Sequence, residues 1–132
     1  MTLFEKDADY EALLRVLVEA GTRCADVAIM SFCIMPNHWH LLVRPRRAGD
    51  LSEFMRLLTV THTQRYHAHH HTSGTGPVYQ GRFKSFPIQD ETHFVTAARY
   101  VERNALRASL VERAEDWPWS SLHARREGPA EV

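Results

Sequence analysis

The chain has 132 residues, and its 16 basic side chains are balanced by 16 acidic ones. This length predicts one domain over residues 1–132, large enough to bury a core without disulfides. With 44% hydrophobic and 24% charged residues the composition is that of a globular protein. No apolar run reaches the roughly 20 residues of a membrane span and no signal pattern opens the chain, so we expect a cytoplasmic protein without a membrane partner.

The first predicted elements are a helix and two strands. Apolar residues at helical spacing over residues 7–20 predict an amphipathic helix that ends at Gly21. Residues 24–34 are typical of a strand, and Pro36-Asn37 predicts a turn into a second strand that begins at His38.

Two histidines of the second strand carry the first functional signal. Side chains alternate faces along a strand, so His38 and His40 point the same way while Trp39 points the other. Two neutral imidazoles at one spot suit a divalent ion if a third ligand comes from elsewhere. The alternative is a pair of polar residues on a solvated sheet face.

A second helix is predicted from Asp50 to about Tyr66. The histidine-rich segment His67–His71 follows it and precedes a Gly, Ser, Thr and Pro-rich stretch over residues 72–77. We therefore expect these histidines to be exposed in a loop rather than to bind a metal.

Residues 78–88 alternate apolar with polar side chains and predict a third strand. Aromatic and basic residues mix here, with Tyr79 close to Arg82 and Lys84. Such a mixture suits the bases and phosphates of a single strand, and the alternative is a half-buried strand with a polar outer face.

A third helix is predicted to begin at Asp90-Glu91, and Tyr100 and Asn104 share one face of it at i,i+4. Residues 105–111 predict a further short helical stretch, after which Trp117–Ser121 is expected to close the domain by packing its indoles.

Basic residues cluster although the net charge is zero. Three arginines follow the histidine pair, and three more recur at helical spacing beside Tyr100. A basic face next to a metal suits a phosphodiester, although solvated surfaces carry similar clusters.

Together these motifs resemble the single-tyrosine HUH transposases, and within them the REP-associated tyrosine transposases and small insertion-sequence transposases. The likeness covers nearly the whole chain. The segments that carry it are Met35–His40, Tyr79–Lys84, Arg99–Ala108 and Trp117–Ser121.

The resemblance implies that His38, His40 and Asn104 hold a Mg²⁺ or Mn²⁺ ion and that Tyr100 is the nucleophile. Its phenolate would attack a phosphate of single-stranded DNA next to a hairpin, forming a 5′-phosphotyrosine and freeing a 3′-hydroxyl. The residues expected to contact DNA are Arg44, Arg46, Arg47, Tyr79, Arg82, Lys84, Arg103 and Arg107. Relatives occur as monomers and as homodimers that exchange the tyrosine helix, so both states stay open.

The implied fold is α+β, a ferredoxin-like antiparallel sheet with helices on one face and a C-terminal tyrosine-bearing helix. Relatives begin with a strand, whereas this sequence opens at Met1–Phe4 directly ahead of the first helix, so the first strand is expected to be missing. Neighbouring strands would close the gap, a partner chain would supply a strand, or the chain begins at an internal methionine and is a decayed or mis-started copy. Two smaller departures are Ala105 and Ser109, where the family has Pro and Gly.

Two alternatives follow. The first is a catalytically silent remnant of a transposase that still binds single-stranded nucleic acid. The second is an unrelated metallohydrolase, which the missing His-x-Glu or Asp-rich ligand set disfavours.

Overall fold

The computed structural model describes residues 3–70 and 90–127. Their elements are α1 (Asp7–Arg23), β1 (Val27–Met35), β2 (His38–Pro45), α2 (Ala48–His70), α3 (Glu91–Glu102), α4 (Asn104–Arg107), a 3₁₀ turn (Ala114–Asp116) and α5 (Ser121–Glu127). The fold is α+β, and the two strands within the described residues form an antiparallel sheet. No helix in the described ranges is long and apolar enough to cross a membrane.

The sheet separates two apolar clusters because its side chains alternate faces. On one face, Trp39 packs with the core that α1 and α2 form around Phe4, Leu17 and Phe54. On the other, Leu42 packs with Val101 and Ala105 of the tyrosine-bearing segment. The helix that carries Tyr100 therefore lies across the sheet from α1 and α2.

The predicted hairpin is confirmed. Met35 pairs with His38 and Cys33 pairs with His40, so the chain reverses at Pro36-Asn37. Cross-strand partners share a face, which places Cys33 and His40 side by side toward α3 and α4.

Several predicted boundaries were wrong. The first helix continues through Gly21 to Arg23, because packing of its buried face outweighs the cost of about 1 kcal/mol for an internal glycine. The first strand begins at Val27, since Cys24 caps α1. The second helix runs to His70, so most of the histidine segment is helical rather than a loop.

The last turn of α2 is fixed by one contact within the helix and by one with α1, which is distant in sequence. The His70 ring lies 4.2 Å from the Tyr66 ring, and its Nε2 lies 3.3 Å from Oδ1 of Asp9 in α1. These partners hold the last turn against the start of α1.

The start of the third helix is confirmed at Asp90, whose Oδ1 accepts a hydrogen bond from the backbone N–H of His93. The helix then breaks at Arg103 before α4 begins at Asn104. Tyr100 and Asn104 are thus on successive short helices, and the predicted helix over residues 105–111 ends at Arg107.

Ser109 closes α4 with a φ of 59°, a left-handed conformation. The N–H of Ser109 donates to the Leu106 carbonyl and that of Leu110 to the Ala105 carbonyl, the bonding pattern of a Schellman motif. Glycine takes this conformation without the clash that Cβ brings.

Replacing Ser109 with glycine should therefore stabilise the chain by roughly 0.5–1 kcal/mol, a rise in Tm of about 2–4 °C by calorimetry. Ala108→Gly is the matched control, since Ala108 has a φ of −84° and gains nothing from glycine. An unchanged or lower Tm for Ser109→Gly would contradict this account of the turn.

The segment Trp117–Ser121 closes the domain against β1, as expected. Trp117 Nε1 donates to the Ile34 carbonyl at 2.9 Å, and the Ile34 N–H donates to the Trp119 carbonyl at 2.8 Å. The Trp119 indole stacks on Tyr10 at 5.1 Å. This segment thus occupies part of the β1 edge.

Residues 3–6 form no strand ahead of α1. The backbone N–H groups of Leu3 and Phe4 both donate to the Pro36 carbonyl, at 2.9 and 2.8 Å. The predicted third strand over residues 78–88 lies outside the described residues.

Candidate active site

The two histidines of β2 share one face and lie close together. The ring centroids of His38 and His40 are 4.9 Å apart, with the ring planes nearly perpendicular. Trp39, between them, packs in the core on the opposite face. The period of the strand therefore places both imidazoles at one spot, as the sequence predicts.

His38 is oriented by its neighbour in the turn. Its Nδ1 lies 2.6 Å from Oδ1 of Asn37. An amide oxygen only accepts, so Nδ1 carries the proton in this contact and the lone pair of Nε2 is available to a cation. Sequence reasoning used Asn37 only as a turn residue and missed this contact.

His40 is held in its neutral form. Burial lowers its pKa, and the neighbouring His38 and the positive charge of Arg107 lower it further. A neutral imidazole is the form that binds metal ions.

Tyr100 lies beside the histidine pair, on the same side of the sheet. Its ring centroid lies 6.3 Å from that of His40, and the two planes are perpendicular. The tyrosine is 57% exposed, the largest exposure among the large apolar and aromatic side chains of the described residues. An exposed tyrosine beside two imidazoles of the same chain is accessible to a substrate.

Arg107 packs directly on this tyrosine. Its guanidinium carbon lies 3.9 Å from the Tyr100 ring centroid, and one of its nitrogens donates to the Tyr100 carbonyl at 2.6 Å. The sequence interpretation gave Arg107 a DNA contact. The structure shows in addition that it packs against the ring, a pairing that was not predicted from the sequence.

Asn104 is fixed by the end of the tyrosine helix. Its Nδ2 donates to the carbonyls of Tyr100 and Val101, at 3.2 and 3.0 Å. Its Oδ1 makes no hydrogen bond within residues 3–70 or 90–127, so this oxygen has capacity left for a cation.

The arginines at the end of β2 and directly after it contact other side chains of the protein. Arg44 lies over the Phe94 ring at 5.2 Å, while Arg46 and Arg47 pair with Asp26 at 3.6 and 3.2 Å. The side chains of Arg46 and Arg47 are 79% and 74% exposed, so phosphate can still reach them. Of the other predicted DNA contacts, Tyr79, Arg82 and Lys84 lie outside the described residues.

A cleft of about 530 Å³ runs along the neighbouring face of the tyrosine helix. It is lined by Arg99 and Arg103 at i,i+4, and by Arg113, which pairs with Glu115 at 3.1 Å. Arg103 was predicted to contact DNA. Arg113 was missed, because it reaches the cleft from a turn beyond α4.

Comparison with known proteins defines the class. A family model described as IS200-like transposase matches residues 2–104, a range that contains both histidines, Tyr100 and Asn104. The chain belongs to this family. It is 26% identical over 112 residues to a REP-associated tyrosine transposase of Haemophilus influenzae, covering 78% of this chain and 62% of that relative. No solved structure matches the chain.

Proposed function

We propose that this chain cleaves and rejoins single-stranded DNA through a covalent bond to Tyr100. The observation that carries the proposal is the position of the Tyr100 ring, 6.3 Å from His40 of the same chain. His40 belongs to an imidazole pair on one sheet face. A tyrosine hydroxyl and a pair of imidazoles thus lie close together, an arrangement suited to metal-assisted attack on a phosphodiester.

The donor chemistry of these residues suits a divalent cation. His38, His40 and Asn104 offer two imidazole nitrogens and one amide oxygen. The contacts of His38 through Nδ1 and of Asn104 through Nδ2 leave their other donor atoms available, and burial favours the neutral form of His40. Three protein ligands would leave coordination positions for phosphate oxygens. A bound Mg²⁺ or Mn²⁺ would polarise the scissile phosphate and neutralise charge that develops on it.

The strand transfer takes place between the Tyr100 oxygen and a phosphate of the DNA. The Tyr100 oxygen, its proton lost to solvent, forms a bond to phosphorus, and the bond from phosphorus to the 3′-oxygen breaks. The leaving 3′-oxygen takes up a proton and becomes a free hydroxyl. One phosphoester replaces another, so the reverse attack by a 3′-hydroxyl restores a DNA strand without ATP.

The cleft lined by Arg99, Arg103 and Arg113 offers a place for the DNA backbone, because Arg99 directly precedes Tyr100. Arg99 and Arg103 are exposed at the C-terminal end of the helix that carries Tyr100, and Arg113 adds a third guanidinium from the turn beyond α4, so a backbone held there would pass close to Tyr100. Phosphate contacts of this kind position the strand without reading its sequence.

The proposal is tested by the covalent adduct. Incubated with Mn²⁺ and an end-labelled single-stranded hairpin DNA, the protein should give a protein–DNA band that survives denaturing electrophoresis. Tyr100→Phe, which removes only the nucleophilic oxygen, should abolish the band, and so should EDTA.

Tyr66→Phe is the matched control, because Tyr66 is half-buried on α2, on the opposite side of the sheet. It should leave the adduct yield unchanged. An adduct that persists in Tyr100→Phe refutes the nucleophile. DNA binding without any adduct in the unsubstituted chain would favour the silent binding remnant.

Arg107 is a positioning residue in this site, since it fixes the Tyr100 ring by stacking. Arg107→Ala should lower the single-turnover cleavage rate at saturating DNA about tenfold, because a displaced nucleophile reacts more slowly. Arg107→Lys, which keeps the charge but not the planar stack, should be intermediate.

Arg103→Ala separates positioning from DNA binding. It should weaken DNA affinity and reduce its salt dependence, with little effect on the rate at saturating DNA. If Arg107→Ala behaved in the same way, Arg107 would be a DNA contact and not a positioning residue.

A further inference from the structure

The last turn of α2 meets the first turn of α1 at a second group of metal-ligand side chains. One ligand atom each from Asp9, His69 and His70 lies within 4.8 Å of the other two. The three residues come from segments about sixty positions apart, so the fold and not local sequence brings them together. The group lies beside α1 and α2, on the opposite side of the sheet from His38 and His40.

The carboxylate of Asp9 is held in place by burial and by backbone hydrogen bonds. The residue is only 5% exposed. Its Oδ2 accepts hydrogen bonds from the backbone N–H groups of Glu5 and Lys6, at 2.9 and 3.0 Å. Its Oδ1 faces His70. One oxygen is therefore anchored to the backbone, while the other points at an imidazole.

The two imidazoles complete a convergent set. The His70 ring is held against Tyr66 at 4.2 Å, with its Nε2 3.3 Å from the Asp9 carboxylate. The His69 ring lies 5.0 Å from the His70 ring and perpendicular to it. Asp9 is buried, His70 is half-buried and His69 is exposed, so the group opens to solvent on one side.

These distances are close to those of a zinc site. Zinc bonds of about 2.0–2.2 Å in a tetrahedron place ligand atoms ~3.4 Å apart. The Asp9 and His70 atoms already have this spacing, and the exposed His69 has to close by ~1.4 Å at most. Two imidazoles and one carboxylate leave a fourth position for water.

We propose that Asp9, His69 and His70 form a second cation site, which takes Zn²⁺ or a similar late first-row divalent ion. Bound there, the ion links the N-terminal turn of α1 to the C-terminal turn of α2. It is independent of the DNA-cleaving site, because its ligands lie on the other side of the sheet.

The test measures how many zinc ions bind to a protein that lacks the imidazoles of His38 and His40. The untagged full chain, carrying His38→Ala and His40→Ala and stripped with EDTA, is titrated with Zn²⁺ by calorimetry. One equivalent should bind. Asp9→Asn and His70→Gln, each in that background, should weaken binding at least about tenfold.

His67→Gln is the matched control, since His67 lies in the same turn of α2 but is not a member of the group. It should leave zinc affinity unchanged. The proposal is overturned if the chain with intact Asp9 and His70 binds no zinc. It is also overturned if the Asp9→Asn and His70→Gln variants bind zinc as tightly as that chain does.

A gain-of-signal variant keeps the test decisive if Asp9→Asn fails to fold. His70→Cys supplies a thiolate at the same position, and titration with Co²⁺ should then add a thiolate-to-cobalt charge-transfer band in the near ultraviolet. Without that band, the contact of His70 with Asp9 is an ion pair only and the proposed cation site is refuted.

Discussion

Replacing His40 with glutamine should lower the rate of Tyr100–DNA adduct formation at least about a hundredfold. His40 is the member of the imidazole pair that lies next to Tyr100, and burial keeps it neutral for metal binding. Glutamine is similar in size and polar, so the sheet face keeps its packing. The measurement is the single-turnover rate with saturating hairpin DNA and excess Mn²⁺.

The control for this loss is His93→Gln. His93 is an exposed histidine on the same helix as Tyr100, and its backbone, not its ring, contacts Asp90. The variant should cleave DNA at the unsubstituted rate. A His40→Gln protein that cleaves within a few-fold of that rate would show that the imidazole pair does not serve the reaction.

The same variant also tests whether one chain holds the complete site. Tyr100 approaches the histidines of its own chain, so a mixture of the His40→Gln and Tyr100→Phe proteins should stay inactive. If the chains exchanged their tyrosine helices in a dimer, half-sites from the two variants would combine and restore the adduct. Restored activity would therefore show a shared site.

The parts of the site that the sequence predicts depend on short-range geometry. The alternation of a strand puts His38 and His40 on one face, and Pro36-Asn37 gives the reversal before them. The helix that begins at Asp90 follows from its N-cap residue. In each case neighbouring residues fix the outcome, so reasoning along the chain is sufficient.

The contacts that reasoning from the sequence missed join segments that are distant in the chain, or follow the point where a helix is interrupted. Asp9 and His70 are far apart in sequence, so nothing in the histidine-rich run shows that its last turn has a buried partner. Arg107 packs on Tyr100 across the interruption of the helix at Arg103. Both contacts depend on how the helices end and pack, which helix propensity alone does not predict.

The histidine at the centre of α2 should make the stability of the chain depend on pH. His62 is 2% exposed and lies against the Phe4 ring at 5.8 Å. Burial lowers its pKa to about 4, although the charge of Asp9 acts in the opposite direction. The folded chain therefore keeps this imidazole neutral down to about pH 4.

The unfolded chain, in contrast, protonates the same imidazole below about pH 6.5. Between these two values the unfolded state binds more protons, so the free energy of unfolding falls as the pH falls from about 6.5 to about 4. For a shift of this size the loss is roughly 3 kcal/mol, and it is complete below pH 4.

Urea unfolding of the EDTA-stripped chain at a series of pH values measures this loss. His62→Gln, which cannot take up a proton in this range, provides the comparison: whatever its stability at pH 7.5, its free energy of unfolding should fall by roughly 3 kcal/mol less between pH 7 and pH 4. Subtracting the two curves cancels the histidines and carboxylates that both proteins share. Parallel curves would mean that His62 is as easily protonated in the folded chain as in the unfolded one, which would contradict its burial as the dominant influence on its charge.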